Sequence, residues 1–235
     1  MKKSIPYLIV MMLASTAALF FHSCAAEDST DVNQDRIHAV YEIFYNANTD
    51  KSQVLARFRF GHRGGTILEL TDGSGASVTF EGDPLTYNGI AGAHYKEYAG
   101  KIDGGEFVYT NTDSDVFKNI VPKGDTVDFP ASFDTVKRGA AQTMTWEGSA
   151  LNNNEYVSMF IGSAWVWGDD ALFAQTQKGE KDIVMGILAK ANLATGPAKA
   201  FMERVYEAPA SATSSSGGLV RYRYRPVNKN VVVVD

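Results

Sequence analysis

Val54-Leu55-Ala56-Arg57-Phe58-Arg59-Phe60 decides the fold class. Val54, Ala56, Phe58 and Phe60 alternate with Leu55, Arg57 and Arg59, the period of two that gives a strand one buried face. Just upstream, Ile37, Ala39, Tyr41, Ile43 and Tyr45 alternate in the same way. Downstream the pattern predicts short strands over 66–70, 77–80, 94–99, 106–110 and 116–121. Turn residues stand between them: Gly64-Gly65, Asp72-Gly73-Ser74-Gly75, Asn88-Gly89, Gly104-Gly105 and Asp113-Ser114-Asp115. Glycine and aspartate tolerate the positive φ of tight hairpins. Short strands at this regular spacing predict an antiparallel sandwich.

Pro122-Lys123-Gly124-Asp125 reads as a boundary near the middle of the chain. A second series of strands is predicted beyond it, over 126–129, 142–146, 156–161, 171–176, 199–206, 219–224 and 230–234. Residues 182–188 read as a further strand and 189–193 as a short helical corner, because Pro197 prevents a longer helix. The reading is therefore all-β: two tandem antiparallel immunoglobulin-like β-sandwich domains, residues 36–124 and 125–235. An internal echo supports duplication. Val78-Thr79-Phe80-Glu81-Gly82-Asp83-Pro84-Leu85 and Met144-Thr145-Trp146-Glu147-Gly148-Ser149-Ala150-Leu151 share four of eight residues.

Ahead of the strands lies a secretory signal, residues 1–23. Lys2 and Lys3 begin it, an uncharged apolar run from Ile5 to Phe21 follows, and Ser23 offers a small residue before Cys24. The run is close to the length of a membrane span. The single cysteine of the chain, standing where a lipoprotein peptidase cuts, favours cleavage and lipidation at Cys24 over a retained anchor. Phe21 and His22 depart from the usual lipobox. Residues 24–35 are expected to form a lipidated polar tether, with Glu27, Asp28 and Asp31 as an acidic tag. Two acyl chains hold a protein to a membrane stably where one does not. The expected location is the outer membrane, lipid-anchored and facing the cell surface.

Removing the first 23 of 235 residues leaves 212 without Lys2 and Lys3, and the formal charge moves from −5 to −7. That acidic balance speaks against nucleic acid as a partner. With Cys24 acylated no disulfide framework exists, so apolar burial must hold the fold. Arg221, Arg223 and Arg225 alternate with Tyr222 and Tyr224, and are read as a solvated strand face.

Chemistry is sparsely signalled. His38, His62 and His94 are far apart with no metal-ligand spacing, and are expected to be scattered surface residues. Gly73-Ser74-Gly75 is a turn and not a nucleophile elbow. Asp113-Ser114-Asp115, with Asp103 upstream, offers hard oxygens for calcium but lacks a calcium loop's continuing acidic spacing, and reads as a hairpin turn. No metal, cofactor or catalytic set is expected. The ligand-binding candidates are Trp165 and Trp167 with Asp169 and Asp170. Two indoles two residues apart share one face of an extended chain, suited either to a sugar ring or protein partner or to packing inside the second sandwich.

The lipobox, the acidic tag, Trp146-Glu147-Gly148, Leu193-Ala194-Thr195-Gly196-Pro197-Ala198, the apolar strand ending in Glu203-Arg204 and the turn Ser216-Gly217-Gly218 together resemble the tandem immunoglobulin-like surface lipoproteins of Bacteroidota-type envelopes. The resemblance implies a fold and an address, and no catalytic residues. The expected function is a non-catalytic binding or adhesion module for glycan or a surface protein. The alternative is a structural subunit of an envelope assembly, marked by an uncovered strand edge at 230–234.

Overall fold

The computed structural model describes residues 26–162 and 171–235. Strands make up nearly all of the regular structure. Among the described residues helix is confined to the four-residue Ile187–Lys190 and two single 3-10 turns, Ser29–Asp31 and Gln34–Arg36. The all-β, two-sandwich architecture expected from the alternation is the one that forms, around two separate apolar cores.

The first core is built on the decisive stretch. Lys51–Phe60 pairs antiparallel with Ile37–Asn46 along its whole length, Ile37 opposite Phe60 and Asn46 opposite Lys51. Their alternation sends Ile37, Ala39, Tyr41, Ile43, Val54, Ala56 and Phe58 to one side. A four-stranded sheet of Val116–Val121, Gly105–Thr110, Ser77–Phe80 and Asp83–Pro84 closes over them, adding Val78, Phe80, Phe107, Tyr109 and Val121. The second core lies wholly within residues 127–233 and centres on Trp146, Val157, Met159, Ile161, Met202 and Val233. Trp146 satisfies its only donor by giving Nε1–H to the Ser149 carbonyl at 3.0 Å.

One sheet runs beneath both cores. Its spine reads Ile67–Glu69, Lys51–Phe60, Ile37–Asn46, Gly218–Arg225, Gly196–Pro209, Glu155–Gly162 and Ala171–Gln175. The late strand Gly218–Arg225 is antiparallel to Gly196–Pro209 on one side and parallel to Ile37–Asn46 on the other. It therefore delivers Val220 and Tyr222 to the first core, across the boundary at 122–125. Tyr224 packs against both cores. Sequence order concealed this, because a parallel partner need not be a neighbour in the chain.

Other departures are local. The tether expected over 24–35 is folded against the first sandwich over the part described: Glu27–Asp28 pairs parallel with Ile67–Glu69, and Ser29 and Gln34 are buried. The strand expected over 199–206 is longer, Gly196–Pro209. Its first residues pair with Lys229–Val234, so Pro197 sits at a strand start, where a missing N–H is tolerated. The strand and helical corner expected over 182–193 form as Asp182–Met185 and Ile187–Lys190. Lys190 is buried beneath that corner and gives Nζ protons to the Lys137 and Ala140 carbonyls.

The internal echo holds in burial but not in pairing. Val78, Phe80 and Leu85 are buried in one copy, and Met144, Trp146 and Leu151 in the other. Glu81 and Gly82, both at positive φ, turn the first copy into a hairpin. In the second, Glu147–Gly148 pairs instead with Val127–Asp128.

Candidate functional site: a polar cleft at the rim of the first sandwich

The Gly105–Thr110 and Val116–Val121 strands are joined by a turn that the Asn111 side chain holds shut. Its Oδ1 accepts the Asp115 N–H at 2.8 Å and its Nδ2 donates to Asp115 Oδ2 at 3.2 Å. Ser114 takes the left-handed conformation at φ 67°. Asp113 stands at the apex of this turn. Facing it is the Gln34–Arg36 turn, whose Asn33 cap accepts the Asp35 N–H at 3.0 Å. The third wall comes from Thr213 and Ser214. Ser215 anchors that wall by giving its N–H to Asp35 Oδ1 at 2.9 Å, while Ser214 gives its hydroxyl to the Ile37 carbonyl at 2.7 Å. The bonds from Ser215 hold the Asp35 carboxyl below its ordinary range.

These three segments enclose a cleft of about 430 Å³ lined by Asp35, Asp113 and Asp115, by amide and hydroxyl side chains including Gln34, and by Val116 and Phe117. The Phe117 ring stacks on Tyr109, centroids 5.5 Å apart. Among the described residues no lysine or arginine lines the cleft. Two polar atoms near it are buried without a hydrogen-bond partner, Gln34 Oε1 and the Tyr109 hydroxyl. Burial, and after it the charge of Asp113, pushes the Tyr109 hydroxyl well above the usual phenol range. A few convergent polar groups around one aromatic ring suit a small hydroxyl-bearing ligand.

Of the residues singled out in the sequence, Cys24, Trp165, Trp167, Asp169 and Asp170 lie outside the described residues. Asp113 and Asp115 reach the cleft, but Asp103 does not, since it pairs with Lys101 and Lys123 instead. Among the described residues no group of three His, Cys, Asp or Glu side chains is placed to hold a metal ion. The histidines correct the surface expectation. His38 and His94 are buried, and the described residues do not bring the three together as a metal site. His94 faces Phe58 and Tyr87 edge-on or tilted, as a core ring does. Asn33, Gln34, Asp35, Thr213 and Ser214 were not legible as site residues, because about 180 residues separate the two segments and only the parallel pairing of the late strand joins them.

The arginine stripe corrects a second expectation. Arg221, Arg223 and Arg225 do share a face, opposite Val220 and Tyr222, but they are not merely solvated. Arg221 and Arg223 bind Glu42, Arg223 and Arg225 bind Glu203, and Arg221 and Arg63 bind Glu207. The guanidiniums of Arg223 and Arg225 lie 4.4 and 5.2 Å from the Phe44 ring centre. In the second sandwich Arg204 is buried and donates to Glu155 at 2.6 Å and to the Ser149 and Ala150 carbonyls. Both arrangements tie strands together.

No family model matches the chain, and no curated protein matches it. Among solved structures it is similar to the two tandem V-type regions of VCBP3, a v-region-containing chitin binding protein. That similarity is 9% in sequence identity, covers 80% of this chain and 98% of the other, and has a TM-score of 0.21. The fold described here rests on strand pairing and not on that likeness.

Proposed function

We propose that this chain is a non-catalytic, lipid-anchored module of the cell surface that binds glycan. The observation that carries the reading is the open polar cleft of about 430 Å³, with side-chain carboxylates and amides beside the Phe117 ring. A flat ring takes the C–H face of a sugar while amides and carboxylates take its hydroxyls. The address rests on the leader, on Cys24 and on the resemblance to Bacteroidota-type surface lipoproteins. Among the described residues no helix is long and apolar enough to cross a membrane. The alternative, a structural subunit joined through an uncovered 230–234 edge, loses most of its marker, since Lys229–Val233 pairs with Gly196–Ala200 and Val232–Val234 with Thr135–Lys137 on the other side.

A glycan array probed with the chain lacking residues 1–24, alongside Asn111→Ala and Phe117→Ala variants, tests the cleft. Binding that both variants lose supports it. A silent array, or binding untouched by either change, removes it. Trp165→Ala/Trp167→Ala in the same array tests the other candidate platform. Palmitate labelling of Cys24→Ala tests the anchor, and label retained by that variant overturns lipidation.

A further inference from the structure

We infer that the turn carrying Ile90 dips into the lipid surface to which the chain is anchored, so that this edge of the first sandwich sits on the bilayer. The inference rests on the reading that Cys24 is lipidated, and adds a second, apolar contact to that anchor.

The chain brings the lipid close to the fold. Cys24 stands three residues before Glu27, which spans about 11 Å at full extension. Glu27 already belongs to the sheet: it pairs with Leu68, and Asp28 pairs with Glu69. A long linker therefore does not separate an acylated Cys24 from the Glu27–Asp28 edge. Whatever packs around that edge is held near the lipid headgroups.

Ile90 belongs to those surroundings. It lies in the turn between Thr86–Asn88 and Ala93–Ala99. Within that turn Gly92 packs on Ile67 so closely that an added Cβ would lie 3.1 Å from Ile67 Cδ1. Ile67–Glu69 is the strand that pairs with Glu27–Asp28, so one strand joins the entry of the chain to the Ile90 turn. The turn has a fixed shape, because Asn88 Oδ1 accepts the N–H of both Ile90 and Ala91 at 3.0 Å. Ile90 is wholly exposed. An isoleucine alone on a surface is ordinary. This one stands beside a lipid anchor, where tethering makes even a weak apolar contact effectively intramolecular.

The contact is apolar in kind. Glu27, Asp28 and Glu69 stand on the two paired strands, with Arg59 opposite Ile67. That balance does not draw anionic headgroups, which polybasic segments attract. Leu188 supplies an internal comparison, since it is nearly as exposed as Ile90. Its helix, Ile187–Lys190, lies beside Ala171–Gln175, at the opposite end of the strand order from Glu27–Asp28. Seven strand spacings separate those ends, about 34 Å.

The test uses the full acylated chain in phosphatidylcholine vesicles, with an environment-sensitive fluorophore on an introduced thiol. Gly89→Cys carries it beside Ile90, where an added Cβ meets no atom within 4 Å. Leu188→Cys carries it at the far end. Cys24 is the single native cysteine and acylation consumes it, so each variant offers one free thiol. At position 89 the emission is expected to shift to the blue and to lose most of its intensity to nitroxide-bearing lipid. At position 188 it should do neither. Adding Ile90→Asp to Gly89→Cys should abolish both changes while the acyl label and the melting temperature stay as they were. Emission at 89 that nitroxide lipid leaves untouched, in labelled and vesicle-bound protein, overturns the inference. A blue shift without quenching overturns it in favour of a protein contact. Equal quenching at 89 and 188, or quenching that survives Ile90→Asp, overturns it too, as does quenching that requires anionic lipid and fades with salt. A chain that takes up no palmitate overturns the anchor reading, and the inference falls with it. A palmitate-labelled chain without quenching loses the inference alone.

Discussion

Glu42 accepts a hydrogen bond from Arg221 Nη1 at 2.8 Å, and the two residues are 179 positions apart in the chain. They meet because Gly218–Arg225 lies parallel to Ile37–Asn46, with Arg221 directly opposite Glu42. The Glu42 side chain is 2% exposed and is also reached by Arg57 and Arg223. Burial alone would raise its pKa, but Arg223, Arg57 and Arg221 together hold it below the usual carboxylate range. Glu42→Gln removes the charge that these three guanidiniums share. Breaking a buried ion pair from one side costs about 3–5 kcal/mol, and urea unfolding at neutral pH should show a loss of that order.

The same seam predicts that the two sandwiches are unequal as fragments. All buried members of the second core fall within 127–233, whereas the first core needs Val220 and Tyr222 from the late strand. Expressed alone, 125–235 should unfold cooperatively by far-UV circular dichroism and by tryptophan fluorescence, to which the buried Trp146 contributes beside Trp165 and Trp167. Residues 36–124 alone should not, since they lose a strand, two core side chains and two of the three arginines that reach Glu42. A cooperative transition for the isolated 36–124 fragment would refute this.

Gly124, at the boundary itself, is fixed by contact with Tyr222. A Cβ added there would lie 2.0 Å from Tyr222 Cδ1 and 2.6 Å from Cε1. The ring has little freedom to yield, since it is buried and its hydroxyl donates to the Ile102 carbonyl at 3.0 Å. Gly124→Ala should therefore destabilise by roughly 1–3 kcal/mol through overpacking. Gly73→Ala, at an open turn where no atom lies within 4 Å, provides a comparison in which only backbone strain at φ +82° is felt.

His94 sets a pH dependence. The Leu70 N–H donates to its Nε2 at 3.1 Å while Nδ1 faces the Leu85 carbonyl at 3.4 Å, the pattern of a neutral ring. Burial lowers its pKa below the ordinary 6.5, outweighing the opposite effect of the Leu85 carbonyl. His38 moves the same way, through burial and then the charge of Arg63. The unfolded chain thus takes up protons first as pH falls. Stability is complete above the unfolded value near 6.5 and is lost progressively as pH drops toward the folded values. The urea midpoint should fall between about pH 7.5 and 5.5, and the slope should flatten in His94→Gln.

The alternation of 54–60 and 37–45 was sufficient to place these segments as strands with one buried face, because a side-chain period of two is a local property of the backbone. The hairpin of Val116–Val121 with Gly105–Thr110 was legible for the same reason, with Asn111 to Asp115 supplying its turn. The proposed leader and the proposed lipidation of Cys24 rest on linear order alone. What it left open was which strands pair across long separations. The parallel union of Gly218–Arg225 with Ile37–Asn46 turned an apparently solvated arginine stripe into partners for the buried Glu42. It also brought Ser215 to Asp35 and so closed a cleft that no contiguous segment contains. Local periodicity decides the element and its face. Only burial shared between distant segments decides the neighbour, and here the neighbours made both the charged seam and the candidate site.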